Sequence, residues 1–319
     1  MNELAVQETK PGGFTSFWYG VRGRPGTLIR EQLNFLYAVF IPTISAFLLI
    51  RVIPIVVILF MSFTNYTIRR PIFQFVYFKN FARLFKDLEF IAAFWNSVEY
   101  VIVAVPLELG LGLFFALLLC RKVKFESLYE TFYFIPYILP MVPSAIVWKW
   151  FFSPGSVGLA NYLLNQMGLP MVGWMSRPAI TLLATIWIHV WKNIGFFVII
   201  FLVGLKNIPQ DFRDAAAVDG ANVWQNIWHV DLPLLKPIIL FATVMATIWA
   251  WSAFTEVYIM TQGTDISTGT EIQVLVSRIY QEGFLYFKMG YAAAISFVLF
   301  VVSLLFVAVQ FMLFREARE

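Results

Sequence analysis

A chain of 319 residues that is 60% hydrophobic and 13% charged is not a soluble globular domain, which carries about 25% charged residues. A net charge of +4 on so apolar a chain is too small to argue for nucleic acid, and the basic residues fit loops facing an anionic lipid leaflet better. The lone cysteine, Cys120, excludes an internal disulfide or a cysteine-based metal cluster and reads as a small apolar residue at the end of a span.

Residues 1–33 are mixed in composition and carry Lys10, Arg22, Arg24 and Arg30 without the short apolar run or small-residue cleavage site of a signal peptide. They read as a cytoplasmic tail, with Phe14, Phe17, Trp18 and Tyr19 suited to the membrane interface or to packing on the protein body. Residues 34–319 read as one all-α membrane domain of six transmembrane helices. The spans are Phe35–Phe63, Val98–Cys120, Phe132–Phe152, Ala179–Leu205, Ile238–Met260 and Met289–Phe314, each long enough for a hydrocarbon core of roughly 30 Å. Pro42 and Pro54 punctuate the first, and Gly110 and Gly112 permit close helix contact on the second. The third carries Pro136, Pro140 and Pro143, which predict a bent or broken helix.

An even number of spans puts both termini on one side. With that side cytoplasmic, the inner segments hold Lys10, Arg22, Arg24, Arg30, Arg121, Lys122, Lys124, Lys206, Arg213, Lys236, Arg315 and Arg318, against eight basic residues outside. Arg69, Arg70, Lys79, Arg83 and Lys86, between the first two spans, weaken the bias. The clusters at Arg121 to Lys124 and Arg315 to Arg318 decide it, because they abut spans, where the positive-inside rule is strongest. The polar interruption at about 206–237 then faces the cytoplasm. In it, Asp211 or Asp214 serves as a helix-start acid, Gly220 interrupts, and Val223, Trp224, Ile227 and Trp228 set a second amphipathic helix closed by Pro233 and Pro237. On physics alone this is either a rigid knob projecting from the membrane or an amphipathic connector lying in the interface.

Asp214-Ala215-Ala216, Asp219-Gly220-Ala221, Trp224-Gln225, Trp228, Leu232-Pro233 and Pro237 resemble the cytoplasmic loop of permease subunits of binding-protein-dependent ABC importers, more narrowly the maltose-type sugar permeases. The resemblance extends through Ser62 to Tyr66, Asn80-Phe81, Phe94-Trp95-Asn96, Asn161-Tyr162-Leu163, Gly168-Leu169-Pro170, Leu205 to Pro209 and Gly290 to Ala294. It implies a loop, Asp214, Ala215, Ala216, Asp219, Gly220 and Ala221, that docks in a cleft of an ATPase subunit. It also implies a second homologous permease, two ATPase copies holding ATP and magnesium, and an extracytoplasmic substrate-binding protein, in the inner membrane of a bacterium. This chain has no Gly-x-x-x-x-Gly-Lys-[Ser/Thr] phosphate loop of its own, so it is expected to be neither an enzyme nor a cofactor binder. Two departures stand out: Asp214 replaces the family's glutamate, and Thr261-Gln262-Gly263-Thr264-Asp265 replaces a Gly-Gly-Pro turn.

For the substrate path, His189, Lys192, Asn193 and Phe196 share one face of the fourth span, and Met245, Trp249, Ser252, Ala253 and Glu256 one face of the fifth. Aromatic rings that stack on a sugar, beside amides and charges that bond its hydroxyls, suit a carbohydrate. The resemblance places sugar contacts on Asn193, Phe196 and Trp249, and also on Ala246, Ala250 and Ala253, which lack polar groups. Lys192 either faces the path or pairs with Glu256 or Glu108. Arg51 pairs with Glu99 or Glu108 or snorkels, as does Lys149. These three cations keep open an acidic substrate such as a uronate oligosaccharide or glycerol phosphate. An ion-coupled secondary transporter using Lys192, Glu256 and Glu108 as relay groups is the alternative of another class. With His189 and His229 the only histidines, no metal-binding or acid–base spacing supports an intramembrane enzyme.

Overall fold

The computed structural model describes residues 28–69, 73–120, 126–261 and 272–316, without the side chains of 28–31, 126, 127, 315 and 316. Most of the tail, Arg70, the Arg121 to Lys124 cluster, Gln262 to Asp265 and Arg318 lie outside the described residues, and so does the Arg315 side chain. The chain divides into two units, residues 1–58 and 59–319. In the first, a helix from Leu28 to Phe47 passes through a π-helical turn at Leu48–Val52 before Ile53. The turn falls just ahead of Pro54, whose nitrogen has no hydrogen to donate, so the ladder widens instead of breaking.

In the second unit the next span starts at Leu88 and runs to Leu119, ten residues ahead of the expected Val98. The Asp87 carboxylate sets the start by accepting from the amides of Glu89 (3.0 Å) and Phe90 (3.2 Å). Phe94-Trp95-Asn96 therefore lies inside the helix rather than before it. This helix packs along Pro178–Lys206 around Tyr100, Ala104, Phe197 and Phe201. Gly112 makes that approach possible, since a Cβ there would lie 2.7 Å from Phe197 Cβ, whereas Gly110 faces open space.

The third span is broken as its prolines predict: Leu128–Ile138 and Met141–Phe151 meet at 96°. The fifth differs from expectation at both ends. Its helix is not closed by Pro233 and Pro237, because Val223–Asn226 passes through a π-helical turn, Ile227–Asp231, straight into Leu232–Trp251. Pro233 is the second residue after the π segment, and Pro237 is accommodated within the helix. The span then breaks at Ser252–Phe254 and resumes as Thr255–Thr261. The sixth is Met289–Glu316. Among the described residues, five helices are long and apolar enough to cross a membrane, and the bent pair counted as one span makes a sixth.

Several residues that carry the family resemblance hold turns together. The Asn80 amide donates to the carbonyls of Ser62 and Thr64, both at 2.8 Å. Gly290 is pressed against the Thr64 carbonyl where a side chain would collide, and its amide donates to Tyr66 (3.0 Å). Asn161 donates to the Val172 carbonyl (3.0 Å) and accepts from the Val172 amide (2.9 Å) and the Trp174 indole (3.0 Å). At the start of the second span, buried Arg278 bonds Asp87 (3.2 Å), Glu282 (2.8 Å) and Glu89, and the Tyr291 hydroxyl donates to Asp87 (2.6 Å). Burial pushes the Asp87 carboxyl up, but the Tyr291 and Phe90 hydrogen bonds and the Arg278 charge outweigh it and hold Asp87 below its ordinary value.

Candidate functional site

The 206–237 segment is built by short-range rules. A helix runs from Gln210 to Val218, with Asp211 in its first turn. Asp214 does not start it; it lies one turn further in, exposed, accepting from Gln210 Nε2 (2.9 Å). The helix ends in a Schellman arrangement, with Ala221 N donating to Ala216 O (2.9 Å) and Gly220 N to Ala217 O (3.1 Å). That ending requires the left-handed backbone of Gly220, at φ +81°. Two residues on, Asn222 and Gln225 form a reciprocal capping box that starts the next helix. Arg213 then binds buried Asp231 (2.9 Å) and the Leu205 carbonyl (3.1 Å), tying both loop helices to the end of the fourth span. Asp214, Ala215, Asp219 and Gly220 are exposed, with Ala216 and Ala221 half-buried, and the neighbouring apolar side chains Val218 and Trp224 stand out at 87% and 72% exposure.

The predicted path residues separate into two groups. Phe196 and Trp249 meet at 4.8 Å between ring centroids, and Tyr137, from the end of the first half of the third span, stacks on Phe196 at 5.4 Å and approaches Trp249 at 6.2 Å. Tyr137 was absent from the expected set; its only signal in the sequence is its place one residue after Pro136 and three before Pro140. Gly195 permits this contact, because its Cα lies against the Tyr133 carbonyl where any Cβ would collide. Lys192 caps the same helix end, donating to the carbonyls of Pro136 (3.2 Å), Tyr137 (3.0 Å) and Leu139 (2.5 Å). Its expected carboxylate partners are engaged elsewhere.

Those carboxylates form the second group, a buried polar network between the second, fourth and fifth spans. Glu256 accepts from the Tyr100 hydroxyl (3.0 Å) and lies 2.8 Å from His189 Nδ1. On the other side of the imidazole, Glu108 lies 3.5 Å from Nε2 and accepts from Asn193 Nδ2 (3.1 Å). Glu256 therefore does not share a stripe with Trp249: the helix ends at Trp251, and the break turns Glu256 inward to 3% exposure. Ser252 lies in the break, exposed, its hydroxyl returned to the Ile248 carbonyl (2.8 Å). Ala246, Ala250 and Ala253, aligned with sugar contacts, are buried in the core. Lys149 donates to the Ile259 carbonyl (2.8 Å), a tie between the outer pieces of the third and fifth spans. Among the described residues no group of histidine, cysteine and acidic side chains has metal-ligand geometry.

Among the described residues, five long apolar helices and a bent pair, with an exposed helix–glycine–helix projection, form the architecture of a multi-pass membrane permease. Residues 108–319 match the family described as binding-protein-dependent transport system inner membrane component, and the chain belongs to it: it is the permease of an ABC importer. It is 38% identical to the probable ABC transporter permease protein YesP of Bacillus subtilis over 83% of this chain and 85% of that one. Identity to the trehalose/maltose transport system permease protein MalF of Thermococcus litoralis is 31%, over 89% and 94%. It is also 30% identical to the B. subtilis arabinooligosaccharides transport system permease protein AraP, over 92% and 90%. A chain in the crystal structure of a bacterial alginate ABC transporter in complex with alginate pentasaccharide-bound periplasmic protein superposes with TM-score 0.77 at 25% identity, over 92% of this chain and 95% of that one.

Proposed function

We propose that this permease carries an oligosaccharide across the membrane, with Tyr137, Phe196 and Trp249 as the surface on which sugar rings stack, and that it takes its energy from separate ATPase subunits docked on the Gln210–Trp228 projection. The single observation that carries the coupling half is the projection itself: a cap, a left-handed glycine, a capping box and an ion pair hold exposed Val218 and Trp224 in a fixed shape. An exposed apolar tip on a polar knob is a protein-docking surface rather than a lipid anchor, which would turn its apolar side to the bilayer. The substrate half rests on three aromatic rings at mutual distances of 4.8 to 6.2 Å, close to the span breaks, in a chain whose relatives bear names of sugar transporters.

In this reading the projection and both termini face the cytoplasm, a second permease completes the path, two ATPase copies bind ATP and magnesium, and a substrate-binding protein delivers the sugar from outside. Closure of the ATPases moves the projection, and the broken third and fifth spans convert that motion into alternating access. The interior network of Glu108, His189 and Glu256 holds the spans in register and stands apart from the rings. An acidic saccharide is a second candidate substrate, favoured by the likeness to the alginate-bound assembly.

The decisive experiment is to purify the chain with its co-expressed partners and measure ATP hydrolysis with maltotriose, arabinotriose and an alginate-derived trisaccharide in turn. Stimulation by one saccharide class supports the reading and names the class. Uptake driven by a proton or sodium gradient with no ATPase present overturns it.

A further inference from the structure

The break in the third span leaves its carbonyls with a specific deficit. In an unbroken helix the Pro136 carbonyl would accept from the amide of residue 140 and the Leu139 carbonyl from that of residue 143. Both positions are proline, and neither has a hydrogen to give. The Tyr137 carbonyl would accept from Met141, which starts a helix that departs at 96°. These are the three carbonyls that Lys192 Nζ reaches from the fourth span, and an ammonium has three donors. A carbonyl left without a donor in a membrane span is destabilising. The cation also sits at the negative end of the helix that finishes at Ile138.

One of the three is the backbone of Tyr137, whose ring completes the aromatic surface with Phe196 and Trp249. Phe196 stands one turn after Lys192 on the same helix, so a single stretch of the fourth span supplies both the cap and the ring that Tyr137 stacks on. Gly195, between them, lets the two helices approach closely enough for both contacts.

We propose that Lys192 is a positioning residue of the transport path: by supplying the donors that Pro140 and Pro143 lack, it fixes the bend of the third span and holds Tyr137 against Phe196 and Trp249. The inference rests on the reading of those rings as the sugar surface only in its consequence for transport; its claim about the bend is independent of that reading. Lys192 touches the backbone carbonyls, with its ammonium 5.9 Å from the Tyr137 ring centroid, and works through Tyr137. A bare cation lining the path would instead act on the substrate directly.

The test uses the assembled transporter in lipid nanodiscs, with Cys120→Ser and nitroxide labels at Phe132→Cys and Val147→Cys, both exposed and one on each half of the broken span. Wild-type Lys192 and Lys192→Arg are expected to give one narrow distance distribution. Lys192→Met is expected to give a distribution roughly twice as wide, since an uncapped break samples more than one angle. Where Lys192→Met fails to assemble, Lys192→Gln, which keeps a donor without the charge, is expected to give an intermediate width. A wild-type distribution in whichever of the two assembles overturns the proposal. A second readout is a double-mutant cycle with Tyr137→Ala in the saccharide-stimulated ATPase assay with maltotriose, arabinotriose and the alginate trisaccharide. If Lys192 acts through Tyr137, the double variant has the half-saturating concentration of Tyr137→Ala alone; additive losses count against it. Widened distances together with an unchanged half-saturation in Trp249→Ala would remove the sugar surface and leave the bend assignment standing.

Discussion

The projection at Gln210–Trp228 and the aromatic surface at Tyr137, Phe196 and Trp249 are assembled by opposite means. In the projection the contacts that shape the turn span three to five residues: Ala221 to Ala216, Gly220 to Ala217, Asn222 with Gln225. On the aromatic surface, Lys192 reaches carbonyls 53 to 56 residues away, and Tyr137 stacks on Phe196 from a different span. A locally determined element keeps its shape while the surroundings move, as a part that must transmit motion requires. An element made of contacts between separate spans changes when those spans shift, as a part that must open and close requires.

Substitutions that separate the two regions should differ in kind as well as in size. The largest effect is expected at Gly220→Trp, which places a bulky side chain on a left-handed backbone in the middle of the proposed docking face. Saccharide-stimulated ATP hydrolysis should fall to background while membrane insertion and yield stay normal; normal uptake by this variant would falsify the role assigned to the projection. Next is Glu256→Ala. It removes the partner of His189 Nδ1 and leaves the Tyr100 hydroxyl only the Thr185 carbonyl (3.3 Å), at a cost of about 3–5 kcal/mol, the range for removing one partner of a buried pair. Thermal unfolding in detergent should drop sharply, and an unchanged transition would mean that the network is dispensable. Gly195→Ala should cost about 1–3 kcal/mol, because the new methyl must push the Tyr133 carbonyl away. It should also raise the half-saturating saccharide concentration, whereas a helix-surface Gly→Ala with no neighbour, such as Gly110→Ala, should be neutral or slightly stabilising by the same assay.

The smallest effect is expected at the far end of the second span, where Asp87→Asn keeps a helix-capping side chain but loses the charge that faces Arg278. Since the folded carboxyl titrates below its ordinary value, its contribution is present above the unfolded pKa of about 3.9 and disappears as pH falls through the folded value. The wild type should therefore lose stability on acidification in that window. The Asn variant should start lower at neutral pH and show a flatter acid limb in melting curves taken from pH 6 downwards; coincident curves would exclude the assignment.

How much of this was visible in the residues follows the same division. The Asp-Gly-Ala joint and the amphipathic spacing of Val223, Trp224, Ile227 and Trp228 are local signals, and the helix–glycine–helix outline is legible in them. Pro233 and Pro237 point to a helix end that is not there, because a π-helical turn leads straight into Leu232 and Pro237 is carried within the helix. The three prolines of the third span announced a break without naming Lys192 as its donor, since nothing in a sequence marks which distant side chain reaches an orphan carbonyl. Helical spacing likewise put Glu256 on one stripe with Trp249, and the interruption at Ser252–Phe254 rotated it into the interior instead. Asp87, a polar residue ahead of an apolar run, marked the start of the second span ten residues early, but hydropathy averages over such caps.

The continuity of Val223 through Trp251 has one more consequence. With no loop between them, the Val223–Asn226 helix and the fifth span form a single rod, and the 26 residue-to-residue rises from Val223 to Trp249 cover roughly 39 Å at 1.5 Å each. In the proposed coupling role, a few degrees of tilt imposed at one end would become a displacement of ångströms at the Trp249 ring, with the π-helical turn at Ile227–Asp231 the one irregularity along the way.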